Sequence, residues 1–139
     1  MRHELNVRFC IWDFEDISHE KITELIGYLP SKIYIKEQKK NMNFSATSKT
    51  NGWILDAPHC DRFSTFEEQI DSLLDVIEAK METFKKICSM YPCELSCAIY
   101  IRFDNGESIP SVHLDGRYHK IASDLGIELD VDLYCLPNG

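Results

Sequence analysis

No stretch of this chain approaches the roughly 18 consecutive apolar residues that a membrane-spanning helix requires. Its first residues, Met1-Arg2-His3-Glu4-Leu5-Asn6-Val7-Arg8, lack the apolar core and small-residue cleavage site of a secretory signal. A soluble, cytoplasmic protein with no membrane partner is therefore expected. Bases are scarce as well: 15 Lys and Arg stand against 23 Asp and Glu, for a net charge of -8. Such a chain is repelled by phosphate backbones, and its one basic cluster, Lys36, Lys39 and Lys40, falls in a polar linker. Nucleic acid is excluded as the expected partner, RNA on an exposed aromatic sheet included.

The motifs that carry known chemistry are missing too. The sequence holds no glycine-rich phosphate loop, no Gly-x-Ser-x-Gly elbow and no His-Glu-x-x-His. Its six cysteines, with no secretory signal, read as reduced thiols, and Cys88, Cys97 and Cys135 take apolar positions. Cys88, Cys93 and Cys97 match no paired zinc knuckle. His59-Cys60-Asp61 is the tightest grouping of reactive types, just ahead of a helix, and is expected to be an ordinary turn. His113 and His119 lie six residues apart, on different sides of a helical turn. No catalytic residue, metal ligand or cofactor is assigned.

What is present is a folding pattern. The chain has 139 residues, 44% hydrophobic and 27% charged, enough for one domain with a continuous core. Residues 5–12 alternate, with Leu5, Val7, Phe9 and Ile11 on one face and Asn6, Arg8, Cys10 and Trp12 on the other. A short helix opens at Asp16 or Ser18, repeats Ile22, Leu25 and Ile26, and ends at Gly27. Short strands are expected at 33–35 and 53–55, joined by a long polar loop over 36–50.

The longest helix is expected to start at Ser64, in a capping box formed by Ser64-Thr65-Phe66-Glu67. It should run unbroken along Phe66, Ile70, Leu73, Leu74, Ile77, Met81, Phe84, Ile87 and Cys88 until Pro92 stops it. A strand over 95–103, a helix over 117–125 capped by Asp115 and Gly126, and a last strand with Leu129, Val131, Leu133 and Cys135 inward complete the order β-α-β-β-α-β-α-β. Strands that are apolar on one side only place the helices on one face of a mainly antiparallel or mixed sheet. The class is α+β, a ferredoxin-like variant.

Several of these segments carry a resemblance: Val7-Arg8-Phe9; Ile22-Thr23-Glu24-Leu25-Ile26-Gly27-Tyr28-Leu29-Pro30; Trp53-Ile54-Leu55; and Ser123-Asp124-Leu125-Gly126-Ile127-Glu128-Leu129-Asp130-Val131-Asp132-Leu133-Tyr134. As a set spanning nearly the whole chain, they resemble a bacterial family catalogued as domain of unknown function 4279. The resemblance implies the fold and no reaction, substrate or catalytic residue.

One candidate surface remains, the sheet face opposite the helices. Arg8, Trp12, Tyr100, Arg102, Asp130, Asp132 and Tyr134 all take that phase. Aromatic and fixed charged groups on one face suit recognition, although Arg102 paired with Asp130 or Asp132 across strands would leave an ordinary wet sheet. The expectation is a non-catalytic binding module, of immunity type if it neutralises a basic toxin, with a protein partner or a second copy of itself. The alternative is a small-molecule binder or enzyme with a pocket under the 36–50 loop, where Trp53 and His59 converge.

Overall fold

The computed structural model describes residues 1–37 and 48–138. Its elements are β1 (Glu4–Trp12), α1 (His19–Ile26), β2 (Lys32–Tyr34), β3 (Gly52–Asp56), α2 (Phe66–Ala79), α3 (Met81–Met90), β4 (Cys93–Phe103), α4 (Gly116–Leu125) and β5 (Glu128–Pro137). The strands form one sheet in the order β2-β3-β1-β4-β5. β1 is antiparallel to both β3 and β4, β2 is antiparallel to β3, and β5 is parallel to β4. β1 through β4 thus make a split β-α-β arrangement of ferredoxin type, and α4 with β5 is a further α-β unit added at the β4 edge. The expected α+β class with a mixed sheet is what the chain adopts.

Alternation decides the buried side. Leu5, Val7, Phe9 and Ile11 of β1 are at most 6% exposed and meet Phe66, Ile70, Leu73, Ile77, Phe84 and Ile87 from α2 and α3. Phe9 and Phe84 pack edge to face with ring centroids 5.3 Å apart. Each such side chain contributes about 1.5–3 kcal/mol by leaving water. One polar side chain lies in this layer. Gln69 of α2 accepts from the Val7 amide at 2.8 Å and donates to the Leu5 carbonyl at 2.9 Å. These are β1 groups beyond the point where β3 pairing stops at Arg8, so Gln69 finishes the ladder where the neighbouring strand has ended.

The helix boundaries refine the expectations. Ser18 caps α1 through the Lys21 amide, and Gly27 ends it with φ 84°. The α2 capping box is one residue later than expected: Thr65 accepts from Glu68, whose carboxylate accepts from the Thr65 amide. Ser64 instead bonds Asp61, whose carboxylate accepts from the Phe63 and Ser64 amides and shapes the turn before the helix.

The expected single long helix is two. At Lys80 the backbone leaves helical geometry (φ -137°, ψ 47°), and its Nζ donates to the Leu25 carbonyl at 3.1 Å. The apolar spacing runs through this break without a change of phase. What accompanies it is a tertiary contact at the end of α1, which a periodicity cannot display.

β5 corrects a second expectation. In register with core residues Leu95, Cys97 and Ile99 of β4, its Leu129, Val131 and Leu133 do point to the helix side. There, however, Val131 is 40% and Leu133 62% exposed, and Cys135 is exposed rather than buried. α4 buries Tyr118, Ile121 and Leu125, borders Leu129 and Val131 of β5 along an open groove, and leaves Val131 and Leu133 exposed. Arg117 ties α4 to α2, within 3.7 Å of Asp71, 2.5 Å of Asp75 and 2.6 Å of Glu78.

Candidate functional site

All seven residues expected on the open face lie on β1, β4 or β5, in the phase opposite the core. The face divides into two unlike halves. On the β2-β3-β1 side, groups are satisfied by one another. Arg8 Nε donates to Asn6 Oδ1 at 2.9 Å and its Nη2 lies 3.2 Å from Asp56 Oδ1, while Asn6 Nδ2 donates to the same oxygen at 3.2 Å. Trp12 lies over Gly52, where a Cβ would sit 2.6 Å from the indole ring, and beside Tyr34 with centroids 5.4 Å apart. Glycine is required at position 52 because the ring occupies the side-chain position. Cys10 and Ile54 are buried in this half, and burial, with Glu94 close by, pushes the Cys10 thiol up to about 12.

On the β4-β5 side, the charge is of one sign. β4 places Glu94 beside Glu128 and Ser96 beside Asp130, and Ala98 pairs with Asp132. None of these four carboxylates forms an ion pair among the described residues. Partial burial holds the Glu94 carboxyl above its ordinary value, as do a hydrogen bond with Asp130 and the negative field of Asp130 and Asp132. The Trp12 indole pulls the other way, donating to Glu94 Oε1 at 3.2 Å. Next along the strands, Tyr100 and Tyr134 stack with centroids 5.0 Å apart and planes 13° from parallel.

Arg102 makes neither of the pairs considered for it. Its register partner is Leu136, which leaves Asp132 four residues away along β5. Its Nη1 reaches the Pro137 carbonyl at 3.5 Å, and its buried Nε has no partner among the described residues. The cross-strand reading, in which arginine neutralises the aspartates, fails on register. Glu94 was not singled out in the sequence, although its even-numbered phase with Tyr100 and Arg102 placed it on this face. Asp56 was missed because its strand was read as ending at Leu55.

Among the described residues, Trp53 and His59 do not converge. Trp53 is fully buried and its indole donates to Thr23 Oγ1 at 3.0 Å, whereas His59 is exposed in a loop with φ 62°. His59 lines a shallow cavity with Tyr28, Ser72, Asp75 and Lys80, and Trp53 takes no part in it. Most of the 36–50 loop, including Lys39 and Lys40, lies outside the described residues. His59-Cys60-Asp61 is the turn that was expected: the Cys60 thiol donates to the Glu68 carbonyl at 3.7 Å and Asp61 caps backbone amides. Cys97 is fully buried in the core, and that burial raises its thiol to about 11. No helix is long and apolar enough to cross a membrane among the described residues.

Residues 3–136 match the family model described as Domain of unknown function (DUF4279), and the chain belongs to that family. No curated protein and no solved structure matches it.

Proposed function

We propose that this DUF4279 chain is a non-catalytic cytosolic binding module that docks a basic segment of a protein partner on the β4-β5 half of its open sheet face. One observation carries the reading: Glu94, Glu128, Asp130 and Asp132 stand together without an ion-pair partner among the described residues, beside the stacked Tyr100 and Tyr134. Glu94, held above its ordinary value by burial and by the neighbouring Asp130 and Asp132, is relieved by an approaching Lys or Arg. The tyrosines supply apolar contact area at low conformational cost. The net charge of -8 steers a basic partner toward any face of the molecule, and this half is where it finds fixed geometry. Trp12, Arg8 and Arg102 border the contact and hold its frame. An immunity-type role, in which a small acidic domain covers the working surface of a basic toxin, is the specific form this chemistry suits.

The test is retention of proteins from the native cell's lysate on the immobilised chain, compared with a variant carrying Asp130→Asn, Asp132→Asn and Tyr134→Ala. These side chains are exposed, so the variant keeps its fold. A basic protein held by the native chain, released at roughly 0.5 M salt and not held by the variant, is the expected result. Equal retention by both, or none by the native chain, overturns the reading.

A further inference from the structure

The two edges of the sheet are treated in opposite ways. β2 spans only Lys32–Tyr34, carries a lysine and follows Pro30, which are the devices that keep an edge from pairing. β5 is ten residues long and has no Lys, Arg, Gly or Pro before its final Pro137. Its outer backbone groups have no strand beside them among the described residues. The helix-side stripe of Val131, Leu133 and Cys135 is exposed as well. β5 carries its charges, Glu128, Asp130 and Asp132, on the open face alone, so a long edge and an uncovered apolar stripe on its helix side call for one occupant that satisfies both.

We infer that β5 pairs antiparallel with β5 of a second copy of this chain, about a two-fold axis through Leu133 and perpendicular to the sheet. The side-chain phases and the length of overlap together select that register: an axis at Tyr134 also keeps carboxylates apart, but it pairs only 131–137 of the strand with itself where an axis at Leu133 pairs 129–137. In an antiparallel pair, directly opposed residues point to the same face, so an axis between residues would set apolar side chains against Asp and Tyr. An axis at Asp132 would oppose the two Asp132 carboxylates, and an axis at Val131 would oppose Asp130 to Asp132 twice. With the axis at Leu133, no carboxylate faces another. Asp132 faces Tyr134 of the second copy, Asp130 faces its Leu136, and Glu128 faces its Asn138, so the whole strand takes part.

The apolar side is equally well matched. Leu133 meets its own counterpart and Val131 meets Cys135 of the second copy. Leu129 meets its Pro137, at the mouth of the open groove lined by Val112, Leu114, Ala122, Leu129 and Val131. The axis keeps all helices on one side of a ten-stranded sheet, and both acidic open faces on the other. The pairing rests on the edge and the helix side of β5; it also sets Asp132 beside Tyr134 of the second copy on the open face, but the open-face reading does not depend on it, since a monomer satisfies that reading equally well.

Light scattering over a concentration series tests it on three chains. The native chain is expected to double its mass within ~1–500 µM, the range suited to an interface at the small end of stable ones. Leu133→Asp is expected to keep the mass of one chain throughout, with an unchanged circular dichroism spectrum, because the site is exposed in each copy. Leu133→Cys is expected to form a covalent dimer under mild oxidation, because residues on a two-fold axis of an antiparallel pair lie within disulfide reach. Asp132→Asn is expected to tighten association about threefold by removing the diagonal repulsion between the two Asp132 carboxylates. A native chain of single mass at all concentrations overturns the proposal, as does a dimer that Leu133→Asp leaves intact or that Leu133→Cys does not cross-link. Retention of a basic partner by Leu133→Asp would leave the proposed function standing whichever way this result falls.

Discussion

β1 and β5 read alike as sequence, alternating apolar and polar residues over 9 and 10 residues, yet the structure uses them in contrary ways. β1 lies in the middle of the sheet, with a strand on each side and α2 and α3 over its apolar face, where Phe9 is 1% exposed. β5 lies at an edge with the same face open, and Leu133 is 62% exposed. Alternation therefore reports which side of a strand is apolar, and sheet position reports whether anything covers that side.

The sharpest way to widen that contrast is a pair of truncations. Phe9→Ala removes a ring packed on Phe84 and leaves a cavity, so urea unfolding should show a loss of about 3–5 kcal/mol. Leu133→Ala, measured in dilute solution, should move the same curve by less than about 0.5 kcal/mol. Comparable losses at the two positions would break the contrast. Within the open face, Gly52→Ala asks whether the β1 half is as closely packed as its distances indicate. The added methyl drives into the Trp12 ring, with an expected cost of about 1–3 kcal/mol and a shift in tryptophan fluorescence.

The smallest effect carries the opposite sign. Because Glu94 has its protonation raised in the folded chain, its ionised form opposes folding. That penalty is absent below the unfolded glutamate value and grows as pH rises through the raised folded value. Glu94→Gln keeps an acceptor for the Trp12 indole, so it should stabilise the chain at pH 7 by about half a kcal/mol. The gain should disappear as pH falls toward 4. A variant less stable than the native chain at pH 7 would show that Trp12 needs the carboxylate and that repulsion from Asp130 is minor.

Much of the fold was legible because local signals and tertiary outcome agree. Ser18, Gly27, Asp115 and Gly126 terminate helices where their chemistry places them, and the alternating phases of β1 and β4 face the helices as read. The features that escaped depend on contacts distant in sequence. Lys80 breaks a helix beside the carbonyl of Leu25, Gln69 completes a ladder for Leu5 and Val7, and Trp53 turns inward to Thr23. For the candidate surface, face membership was readable from parity, whereas partnership was not. The β4-β5 register sets Arg102 opposite Leu136 and not an aspartate, and a parallel pairing with its offset has no signature within either strand.

The attachment of α4 and β5 to a four-stranded unit that is already closed in its own topology also bears on how the molecule breathes. β5 is held by one ladder to β4, and α4 by its buried Tyr118, Ile121 and Leu125 and by Arg117 at the surface of α2. Such a unit can peel away while β1 through β4 stay paired, so its amides should exchange with solvent at a lower opening free energy than those of β1. Each opening turns β4 into the border of the sheet and lays Cys97 and Ile99, sealed in the closed molecule, along it. The strand that ends the sheet thus also keeps its neighbour's backbone, and the row of core residues beside it, from being the border.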